Sequence, residues 1–312
     1  MFSTVMGELS VAEGQGPGEV RFIDLYTPLA PEEEWPAGRE PTRAYASSEE
    51  LPYPIKLCRS FEQQGEETKR LVCVLEGNYI ARQVREAWSI EDAPILNDAT
   101  LDIRDLVLKP DNPSNDHWIA TDKGLINIRN GQAKTLSVMS TGEGLPSDDI
   151  RALTLDEQGN LYVGTTRGLV SLNISLNLPE DLTQTDWTEI APESRLLRST
   201  IYALARSASG ALWIGLKAGA ARWVADELTI YTLGATLPGA PVTSIATSGE
   251  RVALSHPSGV SLYNGAWSHY GARAGVYQAR GQMLTDDRGV IWTLSDQGVI
   301  GFPNSTNAPE MP

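Results

Sequence analysis

The stretch GLPSDDIRALTLDEQGNLYVGTTRGL, residues 144–169, carries the pattern that decides the fold. Apolar residues alternate from Ile150 to Leu155, a polar turn with Gly159 and Asn160 follows, and a second apolar run extends from Leu161 to Thr165. Alternate side chains of a strand face opposite sides of a sheet, and glycine accepts the positive φ that tight turns demand. The stretch therefore predicts antiparallel strands joined by tight turns, as one unit of a larger sheet.

This pattern recurs along the chain from Leu101 onward. In five copies, a residue of the second predicted strand is followed six positions later by a glycine. The pairs are Trp118 with Gly124, Tyr162 with Gly168, Trp213 with Gly219, Ala253 with Gly259, and Trp292 with Gly298. A period of roughly 40 residues with four strands per unit is typical of a propeller blade. One blade cannot bury both of its faces, so several blades must close into a ring.

We therefore predict an all-β fold, a β-propeller of four-stranded antiparallel blades, with six blades favoured and seven as the alternative. The predicted blades cover roughly residues 50–91, 101–138, 148–190, 199–233, 240–271 and 275–302. The last unit shows only three strands, and we expect the segment EVRFIDLY, residues 19–26, to supply the fourth and close the ring. The predicted organisation is a mostly irregular segment at 1–48 around that strand, a propeller at 50–302 and a polar tail at 303–312.

Two family resemblances accompany this pattern. The first is carried by Gly144 to Pro146, Asp156, Gly159-Asn160, Leu161 to Thr165 and Gly168-Leu169, which resemble the two-component regulator propeller repeat. In that family the propeller is a sensory region outside the membrane, joined to a spanning helix and a kinase, so this resemblance implies a sensor-type propeller. The second is DDRGVIWTLSDQGVIGF, residues 286–302, which is similar to repeats of the virginiamycin B lyase family of propeller enzymes.

The composition excludes some partners. The chain has 312 residues, 40 acidic against 25 basic, and a formal charge of -15. Nucleic acids and anionic membranes attract proteins with a basic surface, so neither is an expected partner. No stretch reaches the roughly 18 apolar residues of a spanning helix, and the amino end lacks the features of a signal peptide. The expected location is cytoplasmic.

The two cysteines are predicted to face each other. If Gly65 and Glu66 form the tip of a two-residue hairpin, Cys58 and Cys73 become opposed residues of a strand pair. Counting outward from that tip places them at a hydrogen-bonded position, where the Cα atoms are farther apart. Because a reducing compartment is also expected, two buried free thiols are favoured over a disulfide.

The sequence supplies no catalytic constellation. The three histidines, His117, His256 and His269, have no partner at a zinc-ligand spacing, and we expect a surface or capping role for each. There is no GxSxG, no phosphate-binding loop and no dense carboxylate motif for calcium. No catalytic residue, metal or cofactor is predicted.

One group of residues does suggest a binding site. In a propeller, the turns between second and third strands lie on one face, around the mouth of the central channel. These turns are predicted to carry Lys123, Arg167, Lys217 and His256. Cations gathered on one rim of an acidic protein would attract a small anionic ligand or an acidic segment of a partner. The alternative is that polar turns simply carry polar residues.

The function expected from these observations is a non-enzymatic binding or scaffold module that recognises a protein partner or a ligand, with a sensory input role as a variant. The alternative is a propeller enzyme of lyase or hydrolase type that uses His256 or His269 as its general acid or base. No nucleic acid and no direct membrane insertion are expected, and the oligomeric state is left open.

Overall fold

The computed structural model shows six four-stranded antiparallel sheets. It describes residues 21–23, 55–61, 70–84, 87–91, 96, 98, 100–108, 116–129, 132–138, 144–174, 186–274, 276, 279–286, 289–295 and 298–303. The predicted tail from 304 onward, the predicted hairpin tip and most of the segment 1–48 lie outside the described residues. Within the described residues, no helix has the length and apolarity required to cross a bilayer.

Each sheet is one blade, and in blades 1 to 5 the strands follow one another in the chain from the inside of the ring to the outside. Blade 1 consists of β2 (Ile55–Phe61), β3 (Arg70–Leu75), β4 (Ile80–Val84) and β5 (Ala87–Glu91). Blade 2 consists of β6 (Ile103–Leu108), β7 (Asp116–Thr121), β8 (Gly124–Arg129) and β9 (Gln132–Leu136). Blade 3 consists of β10 (Ile150–Leu155), β11 (Asn160–Thr165), β12 (Gly168–Asn173) and β13 (Trp187–Glu189).

The second half of the ring has the same construction. Blade 4 consists of β14 (Ile201–Arg206), β15 (Leu212–Leu216), β16 (Gly219–Val224) and β17 (Glu227–Thr232). Blade 5 consists of β18 (Ser244–Ser248), β19 (Arg251–His256), β20 (Gly259–Tyr263) and β21 (Trp267–Tyr270). Blade 6 consists of β22 (Arg280–Thr285), β23 (Ile291–Ser295), β24 (Gly298–Phe302) and β1 (Arg21–Ile23).

The ring is closed by the amino-terminal strand, as predicted. Strand β1 pairs antiparallel with β24, with Phe22 opposite Ile300, and so completes the sixth blade. The inner strands contact their neighbours around the whole ring, including β2 with β22. The fold is therefore a six-bladed β-propeller, and the alternative of seven blades is wrong.

The hydrophobic core lies between the blades. Separate clusters of buried residues join each blade to the next from the first to the sixth. Trp118 and Trp213, both 1% exposed, lie in two of these clusters. The second strands are buried on both faces, and every residue of β15 and β19 is buried. This is why the second strands read as apolar runs rather than as alternating strands.

The recurring glycine has a geometric reason. Gly124, Gly168, Gly219 and Gly259 each begin a third strand with φ between +125° and +150°, which L-residues rarely adopt. A Cβ on Gly219 would lie 2.0 Å from the carbonyl oxygen of Tyr231 in the outer strand. In blades 2, 4 and 5 the glycine lets the outer strand approach the turn closely, whereas at Gly168 only the positive φ favours glycine.

The prediction for the cysteines was half right. Cys58 and Cys73 are opposed in the pairing of β2 with β3, as expected, but they form a disulfide, with a Cα–Cα distance of 4.1 Å. That separation is close to the ~4.5 Å of a non-hydrogen-bonded pair, whereas the sequence count placed them at the wider hydrogen-bonded position. The expectation of two free thiols is wrong.

Candidate functional site

The inner strands surround a cavity of about 490 Å³ on the axis of the ring. All six inner strands or the residues just before them contribute to its wall. The lining residues are Lys56, Leu57, Arg59, Asp102, Ile103, Arg104, Asp105, Arg151, Ala152, Tyr202, Ala203, Leu204, Thr243, Ser244, Ile245 and Gln282. We call this cavity the central channel.

A bulge at the start of four inner strands places long side chains in this channel. In blades 1 to 4 the pairing of the inner strand with the second strand shifts by one residue, directly after an isoleucine. The residues skipped by the register are Lys56, Arg104, Arg151 and Tyr202, and all four line the central channel. A bulged residue takes no part in the ladder, and its side chain is re-aimed relative to its neighbours.

The buried carboxylate of Asp105 stabilises the wall of the central channel. Asp105 is 2% exposed, and its Oδ1 accepts hydrogen bonds from Arg59 Nε at 2.8 Å and from the backbone N–H of Leu106 at 2.8 Å. Its Oδ2 accepts from the backbone N–H of Leu153 in the next blade at 2.9 Å. Arg59 Nη2 also lies 2.6 Å from Oδ1. Asp105 therefore links three inner strands.

Two further inner-strand side chains make the same kind of link. The backbone N–H of Met283 in blade 6 donates to Ser244 Oγ of blade 5 at 2.8 Å. The backbone N–H of Cys58 in blade 1 donates to Gln282 Oε1 of blade 6 at 3.2 Å. These bonds connect consecutive blades where the ring is narrowest, so the channel wall is held in place without a ligand.

At the mouth of the channel, a carboxylate lies between two arginines. Asp149 Oδ2 accepts from Arg151 Nη2 at 3.0 Å, and Asp149 Oδ1 accepts from Arg104 Nη1. Arg104 Nε also donates to Asp102 Oδ2 at 3.0 Å. The Nε of Arg151 is buried and has no acceptor among the described residues. Most N–H donors of both guanidinium groups are thus unused by the described residues.

The predicted rim residues do not line the central channel. Backbone bonds from Asp122 N to Asp102 O and from Thr166 N to Asp149 O place the second-to-third turns of blades 2 and 3 beside the starts of their inner strands. Lys123 and Arg167 follow in these turns, so they lie on the same face as the mouth, outside the channel wall.

The four predicted residues differ in their environment. Arg167 and Lys217 are exposed. Lys123 Nζ is 2.7 Å from Asp98 Oδ2, and this ammonium, together with the hydroxyl of Thr100, holds the pKa of the Asp98 carboxyl well below its usual range. His256 is only 1% exposed, at the end of β19. Whether these residues bind an anion stays a prediction.

Two histidines are buried, contrary to the expected surface or capping role. Burial, with the nearby Arg82 charge, lowers the pKa of His117 to about 4, and Arg82 Nη2 contacts its Nε2. Burial, with the nearby His269, likewise lowers the pKa of His256 to about 4. His256 Nε2 is 2.7 Å from the Oγ of Ser261, which is 0% exposed. A substrate cannot reach His256 in this packing, so the geometry gives no support to it as a proton-transfer group.

No metal centre emerges from the described ranges: no three His, Cys, Asp or Glu side chains there come together in a group that could hold an ion.

The sequence reasoning missed the channel residues, although a signal was present. Ile-Lys, Ile-Arg, Ile-Arg and Ile-Tyr begin the inner strands of blades 1 to 4, at positions 55, 103, 150 and 201. The second residue of each pair is the one that enters the channel.

The family comparison confirms the first resemblance. Residues 144–167 match the model of the family described as two component regulator propeller. No curated protein sequence matches this chain at a significant level.

Solved structures confirm the fold. One is the extracellular domain of a protein from B. thetaiotaomicron described as the hybrid two component system BT3049, with 18% identity, coverage of 76% of this chain and 32% of that one, and a TM-score of 0.58. A second, BT4673 from the same organism, gives 15% identity, 81% and 33% coverage, and a TM-score of 0.56. This chain spans about a third of the length of those two extracellular domains.

Two other solved propellers are similar at lower identity. YCF48 bound to D1 peptide gives 12% identity, 82% and 80% coverage, and a TM-score of 0.51. The virginiamycin B lyase of Staphylococcus aureus gives 12% identity, 78% and 98% coverage, and a TM-score of 0.47. The weaker second resemblance is thus also found, and no argument rests on it.

The expected cytoplasmic location is contradicted. The similar sensor propellers are extracellular domains, and the Cys58–Cys73 disulfide is a bond typical of oxidising compartments. The expectation rested on sequence patterns that were not found, and a missing pattern does not decide the compartment.

Proposed function

We propose that this chain is a non-enzymatic recognition module, a sensor-type propeller that acts outside the cytoplasm and binds its ligand in the central channel. The observation that carries this proposal is the cavity of about 490 Å³, to which every blade contributes. Small-molecule sites in proteins have volumes of about 300–1,000 Å³ and a few placed polar groups. The central channel meets both conditions.

The wall of the channel is suited to recognition because it is preorganised. Asp105, Ser244 and Gln282 tie neighbouring inner strands together through backbone N–H groups. A ligand that enters a site already held in shape loses less free energy to ordering of the protein. The sensory role is supported by the family match at residues 144–167 and by the extracellular sensor propellers of similar fold.

A partner protein is the second candidate for the ligand. Arg167 and Lys217 are exposed in turns between second and third strands. An acidic segment of a partner could contact these turns and the mouth of the central channel together. A propeller of similar fold, YCF48, is bound to a peptide in its solved structure. Both candidates place recognition on the face where the inner strands begin.

Filling the channel tests the proposal. Thr243 is exposed and lines the cavity, so Thr243→Trp narrows the mouth without disturbing the buried core. Thr229 is exposed on the outer strand β17 and gives a matched control, Thr229→Trp. We expect compounds that raise the melting temperature of the wild-type protein to raise that of Thr229→Trp equally and to lose their effect on Thr243→Trp. Equal effects on both variants would place the ligand elsewhere and refute the proposed site.

A further inference from the structure

The central channel has a charged half and a neutral half. Blades 1 to 3 contribute all of its ionisable acids and bases, which are Lys56, Arg59, Asp102, Arg104, Asp105 and Arg151. Blades 4 to 6 contribute neutral residues, which are Tyr202, Ala203, Leu204, Thr243, Ser244, Ile245 and Gln282. A ligand in the channel therefore meets different chemistry on its two sides.

On the charged half, cations outnumber the carboxylates that line the wall. Arg59 is paired with the buried Asp105, so this cation is already neutralised. Arg104 and Arg151 share the carboxylate of Asp149, and Arg104 also pairs with Asp102, while Lys56 adds a further cation to this half. With Asp149 counted, four cations face three carboxylates here, a small positive excess in a protein with a formal charge of -15. An anion would be drawn to the mouth between these two arginines.

The geometry of the two guanidinium groups suits a carboxylate or phosphate. Both arise from bulged positions of adjacent inner strands, β6 and β10, and Asp149 holds them side by side. Arg104 donates from Nε and Nη1, and Arg151 donates from Nη2, to carboxylates of the described residues. The Nε of Arg151 is buried, the remaining N–H groups have no acceptor among the described residues, and guanidinium forks match the spacing of carboxylate and phosphate oxygens.

The facing half suits an uncharged body. Tyr202, half-buried, occupies the bulged position of blade 4 and presents an aromatic ring with a hydroxyl group. Thr243 and Gln282 add hydrogen-bonding groups without charge. A second charged group on the ligand would be desolvated there without a counter-ion, which is costly.

We propose that the central channel binds a small organic anion with one carboxylate or phosphate group, held between Arg104 and Arg151, and with a neutral body that lies against Tyr202 and Thr243. This inference rests on the proposed function, because it names the ligand class of the same site. Asp149 then also affects the affinity for the ligand. Its carboxylate occupies donors of both arginines in the free protein, so it competes with the ligand.

The probes for the test are 2-naphthoate, its neutral counterpart 2-naphthamide, and inorganic phosphate, with binding measured by calorimetry. The two naphthalene compounds share a shape and differ in charge, so their comparison isolates the anionic group. We expect 2-naphthoate to bind at least about tenfold more tightly than 2-naphthamide, as a charge-assisted hydrogen bond provides. Inorganic phosphate should bind more weakly than 2-naphthoate, because it lacks the body. Equal affinity for acid and amide, or no binding of any probe, overturns the inference.

Three variants and a control identify the residues. Arg104→Gln and Arg151→Gln should each weaken binding of 2-naphthoate about tenfold or more. Asp149→Asn should strengthen it, since the donors of both arginines are released. The control is Arg198→Gln, an exposed residue paired with Glu189 away from the channel, which should change nothing.

Because Asp149→Asn should strengthen binding while the arginine variants weaken it, loss of folding alone cannot produce the expected results. A purely structural role for this cluster would make Asp149→Asn weaken binding as the arginine variants do, and that result contradicts the inference. The result also separates this inference from the proposed function. If Thr243→Trp abolishes binding of a probe while the charge variants do not alter it, the channel is the site and only the anionic class is wrong.

Discussion

The substitution Asp105→Ala should destabilise the ring more than removal of any exposed carboxylate. It leaves the buried N–H of Leu153 without its acceptor, which costs about 1–3 kcal/mol. It also breaks the ion pair with Arg59. Removing one partner of a fully buried ion pair costs about 3–5 kcal/mol. Because Arg59 is 29% exposed and water can replace part of the contact, we expect the loss of this ion pair to cost about 1–2 kcal/mol.

The free energy of unfolding should therefore fall by about 2–5 kcal/mol, and the melting temperature by roughly 5–15 °C. Urea denaturation followed by tryptophan fluorescence measures the first quantity, and calorimetry measures the second. Glu189→Ala is the control, because Glu189 is 46% exposed in its pair with Arg198, and its removal should cost less than about 1 kcal/mol. If the two variants lose the same stability, Asp105 does not join the inner strands as we describe.

Three further results are expected. Gly219→Ala should lower the free energy of unfolding by at least about 3 kcal/mol, because its Cβ would lie 2.0 Å from a backbone carbonyl oxygen. Gly249→Ala, with φ +62° and open space around it, should lower it by about 1–2 kcal/mol. Equal losses in urea denaturation would contradict this. The free energy of unfolding should be greatest above pH ~6.5 and fall towards pH 4. The reason is that the unfolded chain protonates His117 and His256 in this range, while in the folded protein both pKa values are about 4. A urea midpoint that stays constant over this range would refute it. Replacing both cysteines of the first blade with alanine should cost about 3 kcal/mol, as expected for a disulfide that spans 15 residues, and an unchanged melting temperature would speak against a structural disulfide.

The fold could be predicted because its determinants are local and repeated. The glycine that begins the third strand of blades 2, 4 and 5 is set by a backbone conformation and by the close approach of the outer strand, as Gly219 and Gly259 show. The ring closure could be predicted because the sixth unit lacked a strand, and β1 supplies it. The disulfide was missed because it depends on which side of the β2–β3 ladder carries the hydrogen bonds, and the sequence does not fix that phase.

The candidate site could be predicted only in part. The blade topology fixes where the turns of Lys123 and Arg167 lie, beside the starts of the inner strands, and their role in binding stays a prediction. The channel residues depend on a bulge, and periodicity alone does not reveal which residue a bulge skips. The pairing of Arg104 and Arg151 around Asp149 joins separate blades and is visible only in the structure. The burial of His256 likewise depends on packing against Gly239 of a distant segment.

The most direct test of the central claim is a crystal structure of the protein with 2-naphthoate bound. The account predicts density in the central channel, with the carboxylate within hydrogen-bond distance of Arg104 and Arg151 and the rings against Tyr202. An empty channel, with the compound bound on the outside of the ring, would contradict it.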